Sequence, residues 1–328
     1  MIVTSLLAGA LATSVSVDRG QYTIHAAAIG SGKPMIALPG GPGFSGRSVW
    51  GVGWGMREQV KTYLFDQLGT GKSQLKDTSG DVSGTISLDG TLEDIEALRK
   101  ATGHKKWIVF GQSWGVIVAL LYAAKYPSAV AHLVLTSVPG LGHDGTFLSD
   151  NLRLPKSVEE ELTKIELDES LSADEKTSRQ VLTLIPYYFY RPEQGLNLAN
   201  DAPADLFAPR VFGAFARYIL NDKSYQAQLR KVAGHKYPVS MIQGRQDPCG
   251  AEMPFALRDK YVPRAKISLV AQSGHFAWME QPDAFFYHFH SILGLTRPAW
   301  TEHWGESDHP AFKEELKLRT EANWPFGK

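Results

Sequence analysis

The sequence predicts an α/β protein with a mostly parallel central sheet flanked by helices, and three observations carry that prediction. Short apolar runs at 34–38, 60–65, 107–110 and 132–137 alternate with stretches of helical spacing. The runs are apolar almost throughout, as strands covered on both faces must be. The run at 34–38 ends in a glycine-rich turn (PGGPG) of the kind found where active-site loops leave a sheet.

Taken in order, 21–28 and 34–38 read as strands and 60–65 as a third. Residues 91–102 place Leu92, Ile95 and Leu98 on one helical face. WIVF at 107–110 is a compact strand. The apolar majority of 114–125 suits a helix packed on a sheet, and 132–137 is again a strand. From about 141 to 235 the rhythm changes to mostly helical, more charged sequence. Ser157 with Glu160 three residues later has the pattern of a capping box opening a helix. Tyr187 to Tyr190 is an aromatic cluster, and 206–220 reads as a helix region interrupted by Pro209. Strands return at 239–243 and 266–271, and a helix at 281–293 closes the pattern. The expected organisation is a core of 1–140 and 236–295, a helical lid of 141–235 inserted after the sixth strand, and a C-terminal extension of 296–328. The extension carries Trp300, Trp304 and Trp324. No internal repeat is visible.

A length of 328 residues suits two domains or one large domain with an insertion. Apolar residues at 43% and charged residues at 21% exclude wholesale disorder. Lys+Arg and Asp+Glu both number 34, so no overall positive field exists to hold nucleic acid or an anionic membrane, and neither is expected as a partner. The expected partner is a small molecule or short peptide as substrate. The single cysteine, Cys249, excludes an intramolecular disulfide framework and a Cys-rich zinc site. With no H-E-x-x-H or EF-hand pattern, neither metal nor cofactor is expected. The first twelve residues (MIVTSLLAGALA) contain a short apolar run without a preceding basic residue. They read as a first strand or packed arm, giving a cytoplasmic expectation. Secretion after signal cleavage is the alternative.

The chemistry concentrates at Gly111-Gln112-Ser113-Trp114-Gly115, a G-x-S-x-G nucleophile elbow with a strand before it and a helix after it. Such a bend lifts the Ser113 hydroxyl above the sheet edge at a helix N-terminus, and small residues at 111 and 115 admit neighbouring backbone. A serine hydroxyl needs a general base, and the base needs an orienting carboxylate, here in the order Ser, acid, His. Asp247 ends the strand–turn 239–247, and His275 follows the strand 267–271 on a glycine-containing loop. Asp247-Pro248 is also turn chemistry, but the rival position after 132–137 offers no carboxylate. For the oxyanion, the backbone N–H of Trp114 supplies one donor and the loop 38–43 the other. Pro42 lacks an N–H, so Gly41 is the candidate, a plain Gly/Pro turn being the alternative. Cys249 reads as packing, with no separate Cys/His site around it. Gly69-Thr70-Gly71-Lys72-Ser73 fails as a phosphate loop because position 66 is Asp.

At these residues the chain resembles α/β-hydrolases of the proline iminopeptidase type. The PGGPG loop is similar to that family's HGGPG. Asp66-Gln67-Leu68-Gly69-Thr70-Gly71-Lys72-Ser73 is similar to its D-Q-R-G-x-G-x-S, and Gly244-Arg245-Gln246-Asp247 to its G-R-Y-D, with a cysteine soon after. The resemblance implies an α/β-hydrolase fold, a serine nucleophile and a helical lid. Pro39 stands where the family has His, and Leu68 where it has Arg. The family holds a free α-amine with acidic residues of the lid, in a helix containing A-R-x-E. The corresponding segment, Ala216-Arg217-Tyr218-Ile219, has Ile at the acidic position, leaving Glu193, Asp201 and Asp205 as substitutes. A charged amine without a buried anion would not offset its desolvation. The expected function is therefore a serine hydrolase forming an acyl-enzyme on a small, uncharged ester, lactone or amide. An aminopeptidase releasing N-terminal proline and a non-catalytic receptor are the alternatives. Tyr187, Tyr188, Tyr190 and Tyr218 are the expected substrate contacts, with lid packing as the other reading of the aromatic cluster.

Overall fold

The computed structural model describes residues 13–77, 84–139, 154–200, 205–221, 224–234 and 236–298. Its centre is a nine-stranded sheet of β1 (Thr13–Asp18), β2 (Tyr22–Ile29), β3 (Lys33–Leu38), β4 (Val60–Asp66), β5 (Gln74–Leu75), β6 (Trp107–Gln112), β7 (Val130–Thr136), β8 (Val239–Gly244) and β9 (Lys266–Val270). The order is β1-β2-β4-β3-β6-β7-β8-β9, with β5 pairing β2 off this path. Every pair from β4 through β9 is parallel, and the pairs made by β2 with β1, β4 and β5 are antiparallel. β1 lay outside the expected strands. Its sequence TSVSVD alternates polar and apolar, and it pairs only with β2, at the sheet edge where one face meets solvent.

Helices cover both faces. Alternate residues of β3 show why both must be covered. Ile36 and Leu38 enter one core with Leu92, Ile95 and Leu98 of α2 (Leu88–Ala101) and most of α3 (Trp114–Lys125). Met35 and Ala37 enter the other with Val52 and Met56 of α1 (Trp50–Met56) and the phenylalanines at 285, 286 and 289. Ser87 caps α2 by accepting from Gly90 N at 3.0 Å, so that helix starts three residues before the expected Thr91.

The insertion follows β7, the sixth strand of the main path in chain order. It contributes α4 (Lys156–Leu167), α5 (Ala173–Leu184), α6 (Pro192–Asn200), α7 (Pro209–Asn221) and α8 (Ser224–Leu229). Two local expectations are corrected here. Ser157 is not the N-cap of α4. Pro155 holds that position without a side-chain cap, and the capping box belongs to α5, where Ser172 and Glu175 satisfy each other's backbone N–H groups. Pro209 does not interrupt a helix. It is the first residue of α7, where its fixed φ and missing N–H cost nothing. The chain returns through β8, α9 (Met253–Tyr261), β9, the short α10 (Ala277–Glu280) and α11 (Pro282–Leu293). The first twelve residues and the segment from 299 onward lie outside the described residues.

Candidate active site

Ser113 stands at the junction of β6 and α3, with φ 53° and ψ −118°. A non-glycine residue at positive φ is strained, and here the neighbours on both sides fix it. A Cβ on Gly115 would overlap Leu38 O, and one on Gly111 would overlap Gly115 O, so neither position accepts a side chain. Ser113 N donates to Thr136 O at 3.1 Å, and Val116 N donates to Ser113 O at 2.8 Å. The hydroxyl does not cap the helix it precedes. It borders a cavity of about 300 Å³ instead.

Asp247 and His275, 28 residues apart, meet at the C-terminal ends of β8 and β9. His275 Nδ1 lies 3.0 Å from both carboxylate oxygens of Asp247. The remaining partners of Asp247 are donors, with Cys249 N at 2.8 Å and Gln243 Nε2 at 2.7 Å. Gln243 cannot turn round, because its Oε1 accepts from Val138 N at 2.9 Å. A carboxylate accepts only, so the network places the proton on Nδ1 of His275 and leaves Nε2 as the ring's acceptor. His275 borders the same cavity as Ser113. Burial pushes the His275 imidazole down, but the adjacent Asp247 charge more than offsets this and holds its pKa well above the ordinary histidine value. The Cys249 thiol, read as packing, is buried and sits within reach of both side chains. Burial pushes that thiol up, so it stays neutral and Asp247 is the charge acting on His275.

Gly41 borders the cavity with φ 109°, a backbone conformation that favours glycine. The Trp114 N–H is in the first turn of α3, where no intrahelical acceptor exists and the helix dipole favours negative charge. Both N–H groups therefore come from segments adjoining Ser113. Asp66, from the D-Q-L-G-T-G-K-S stretch, accepts from Gly46 N at 2.9 Å, Lys72 N at 3.0 Å and His25 Nδ1 at 2.9 Å. It thereby ties the chain just after the Gly41 loop to β4 and β2.

Of the three expected substrate tyrosines whose side chains are described, Tyr188 borders the cavity, its ring 5.2 Å from that of His275. Tyr187 and Tyr190 do not border it, and Tyr190 is exposed. The single-turn helix Ile185–Tyr188 aims only Ile185 and Tyr188 inward. Tyr218 lies on α7, but its side chain is outside the described residues.

Sequence reasoning missed several residues around His275. Ser137, itself at φ 53°, donates through Oγ to His275 O. Gln243 orients Asp247. Glu280 accepts from Gly274 N and Tyr190 N. No local pattern marks these residues, since each contact joins distant segments or depends on a turn. Gly274 stands in the loop before His275, and a Cβ there would overlap Tyr188 O and stand 2.8 Å from Tyr190 N. Gly274→Ala is therefore expected to displace the segment 188–190 from the His275 loop. Overpacking of this kind costs about 1–3 kcal/mol, or roughly 2–10 °C in Tm for a chain of this size. Unchanged melting and unchanged turnover would contradict this close approach.

The profile of the alpha/beta hydrolase fold matches residues 33–282. The chain belongs to the α/β-hydrolase fold family. This hydrolase is 28% identical to the proline iminopeptidase of Neisseria gonorrhoeae over 271 residues, covering 75% of this chain and 84% of that one. It is 25% identical to the proline iminopeptidase of Heyndrickxia coagulans over 270 residues, covering 78% and 88%. The proline iminopeptidase of Xylella fastidiosa matches more closely but over less. There the identity is 37% across 107 residues, and the chain spans only a third of that relative's length. Among solved structures, a proline iminopeptidase-related protein from Thermus thermophilus superposes with a TM-score of 0.65 at 19% identity, covering 88% of this chain and 99% of that one. A 2-hydroxy-6-oxo-6-phenylhexa-2,4-dienoate hydrolase from Rhodococcus superposes with a TM-score of 0.63 at 17% identity, covering 86% and 99%. Both likenesses concern the fold.

Proposed function

We propose that this hydrolase forms an acyl-enzyme through Ser113 on an uncharged ester, lactone or amide that carries an apolar group. The observation that carries the reading is the cavity. Ser113 and His275 open into a space walled by Phe44, Leu184, Ile185, Phe207, Phe212 and Phe276. Ser48, Gln112, Thr177 and Gln180 add neutral polar groups, and none of the lining residues described is Asp, Glu, Lys or Arg. A substrate ammonium would enter without a counter-charge, at a cost of several kcal/mol. Of the possible acidic substitutes, Asp205 is paired at the surface with Arg47 at 2.8 Å, Glu193 does not border the cavity, and Asp201 lies outside the described residues.

In the proposed reaction Ser113 Oγ attacks the carbonyl carbon as its proton passes to His275 Nε2. The oxyanion is held by the Gly41 and Trp114 N–H groups. Collapse of the tetrahedral intermediate breaks the bond to the leaving group, which takes the proton from His275. Water, deprotonated by His275, then releases the acid and restores Ser113. Aromatic walls suit an aryl or branched alkyl group and exclude water from the intermediate.

The names of the relatives favour a second reading, release of N-terminal proline. One pair of substrates separates the two. Prolyl p-nitroanilide and cyclopentanecarbonyl p-nitroanilide share ring size and leaving group and differ in the ring ammonium. The neutral anilide is expected to give kcat/KM at least ~100-fold higher, the factor that an unpaired buried cation implies. Faster cleavage of the prolyl compound would overturn the uncharged-substrate reading.

A further inference from the structure

We propose that Glu280 is a positioning residue that latches the lid to the loop carrying His275, so that the imidazole is correctly placed only while the segment 188–191 is docked. This rests on the reading of Ser113 and His275 as nucleophile and base. Glu280 ends the short helix α10 and is buried, 8% exposed. Its Oε1 accepts from Tyr190 N of the lid at 2.7 Å, and its Oε2 accepts from Gly274 N, the residue before His275, at 2.6 Å. Arg191 N is a third backbone donor to the same carboxylate. One side chain thus satisfies N–H groups from two segments more than eighty residues apart.

The surroundings make this junction a unit. His275 N donates to Tyr188 O at 2.8 Å. Phe189 stacks on Phe276 with centroids 4.9 Å apart, and the Tyr188 ring lies against His275. Gly274 leaves no room between the two segments. Because Ile185 and Tyr188 are also cavity walls, the latch joins substrate enclosure to the placement of the base.

The function of the latch depends on charge. An ionised carboxylate accepts at both oxygens, whereas a protonated one turns an O–H toward one of its donors and loses that partner. Burial raises the Glu280 pKa to about 7, against the pull of the three backbone donors. The charge acting on it from the β8 turn is Asp247, which raises it further, and the lid and the His275 loop present backbone N–H groups. Two deprotonations, of Glu280 and of His275, must therefore precede activity.

The test compares wild type with Glu280→Gln, assaying p-nitrophenyl ester hydrolysis from about pH 5 to 9, with fluorophosphonate labelling of wild type as the control for the serine reading. The expected wild-type acid limb of log kcat/KM approaches a slope of two. Glu280→Gln should fall ~10–100-fold in kcat/KM at pH 8, and its acid limb should have a slope of one. The glutamine keeps one acceptor and turns its NH₂ toward the other backbone donor, so it should also melt somewhat earlier at pH 8; the change in slope is the readout that a merely structural role would not move. Glu280→Asp keeps the charge on a shorter arm and should retain the steep limb at reduced activity. A labelled wild type whose limb has slope one, or whose limb is unchanged in Glu280→Gln, overturns the latch alone. Failure of wild type to label overturns the serine reading and the latch with it.

Discussion

Ser113→Ala is expected to lower kcat for the best ester by ~10⁴–10⁶-fold, the range seen when a serine nucleophile is removed from a working triad. The loss should be almost entirely catalytic. The hydroxyl does not cap α3, and alanine can occupy the same strained backbone position at no greater cost. Melting temperature should therefore change little. Affinity for a non-hydrolysable substrate analogue should stay within a few-fold, because the phenylalanine walls and Tyr188 supply the contact area. A fluorophosphonate should label wild type at Ser113 and leave the variant unlabelled, as mapped by peptide mass spectrometry. The same variant separates an enzyme from a receptor that uses this fold only to bind. An active Ser113→Ala, or a wild type that binds esters without turning them over, would remove the proposed mechanism.

The parts of this architecture that were readable in the sequence share a property. Each was encoded locally. Ser113 is announced by a strand, two glycines and a helix within a dozen residues. Asp247 and His275 each end a strand followed by a turn, so fold order alone brings them to one edge of the sheet. What escaped prediction depends on distant segments or on alternatives that local pattern leaves equal. The S-x-x-E pattern occurs at both Ser157 and Ser172, but Pro155 begins the first helix earlier and leaves Ser157 inside its opening turn. Tyr187, Tyr188 and Tyr190 look equivalent in sequence, and only the phase of one helical turn selects Tyr188. Ser137, Gln243 and Glu280 are ordinary polar residues until the return strands bring their partners beside them. The Ile219 side chain lies outside the described residues, so that departure from the family pattern is not tested by the walls of the cavity.

Asp247→Asn should produce two coupled changes, a fall in activity of ~10⁴-fold and a shift of the remaining acid limb to lower pH. The sign of the shift follows from the charge. In wild type the Asp247 carboxylate raises the His275 pKa well above about 6.5, the ordinary value. Below that raised pKa the imidazole is protonated and cannot accept the Ser113 proton, so activity is lost as pH falls through it. Removing the charge leaves burial as the dominant influence on His275, which lowers its pKa and lets the base persist to more acidic pH. The amount of activity is set by the tautomer. An asparagine amide can keep the Cys249 N–H on its oxygen, but its NH₂ then faces Gln243 Nε2, whose own orientation is fixed by Val138 N. Turning the amide to accept from Gln243 brings the NH₂ toward Cys249 N and His275 Nδ1, so the imidazole is driven to carry its proton on Nε2, where it cannot act as base. Folding stability should respond in the same direction as the charge. The raised His275 pKa stabilises wild type most fully below the unfolded-state value, and that contribution is lost as pH rises through the folded-state value. Asp247→Asn should therefore lose more Tm at pH 6 than at pH 9. The measurements are a pH–rate profile of kcat/KM and melting curves at the two pH values. A variant that keeps the wild-type acid limb would show that Asp247 is not the group setting the charge of His275.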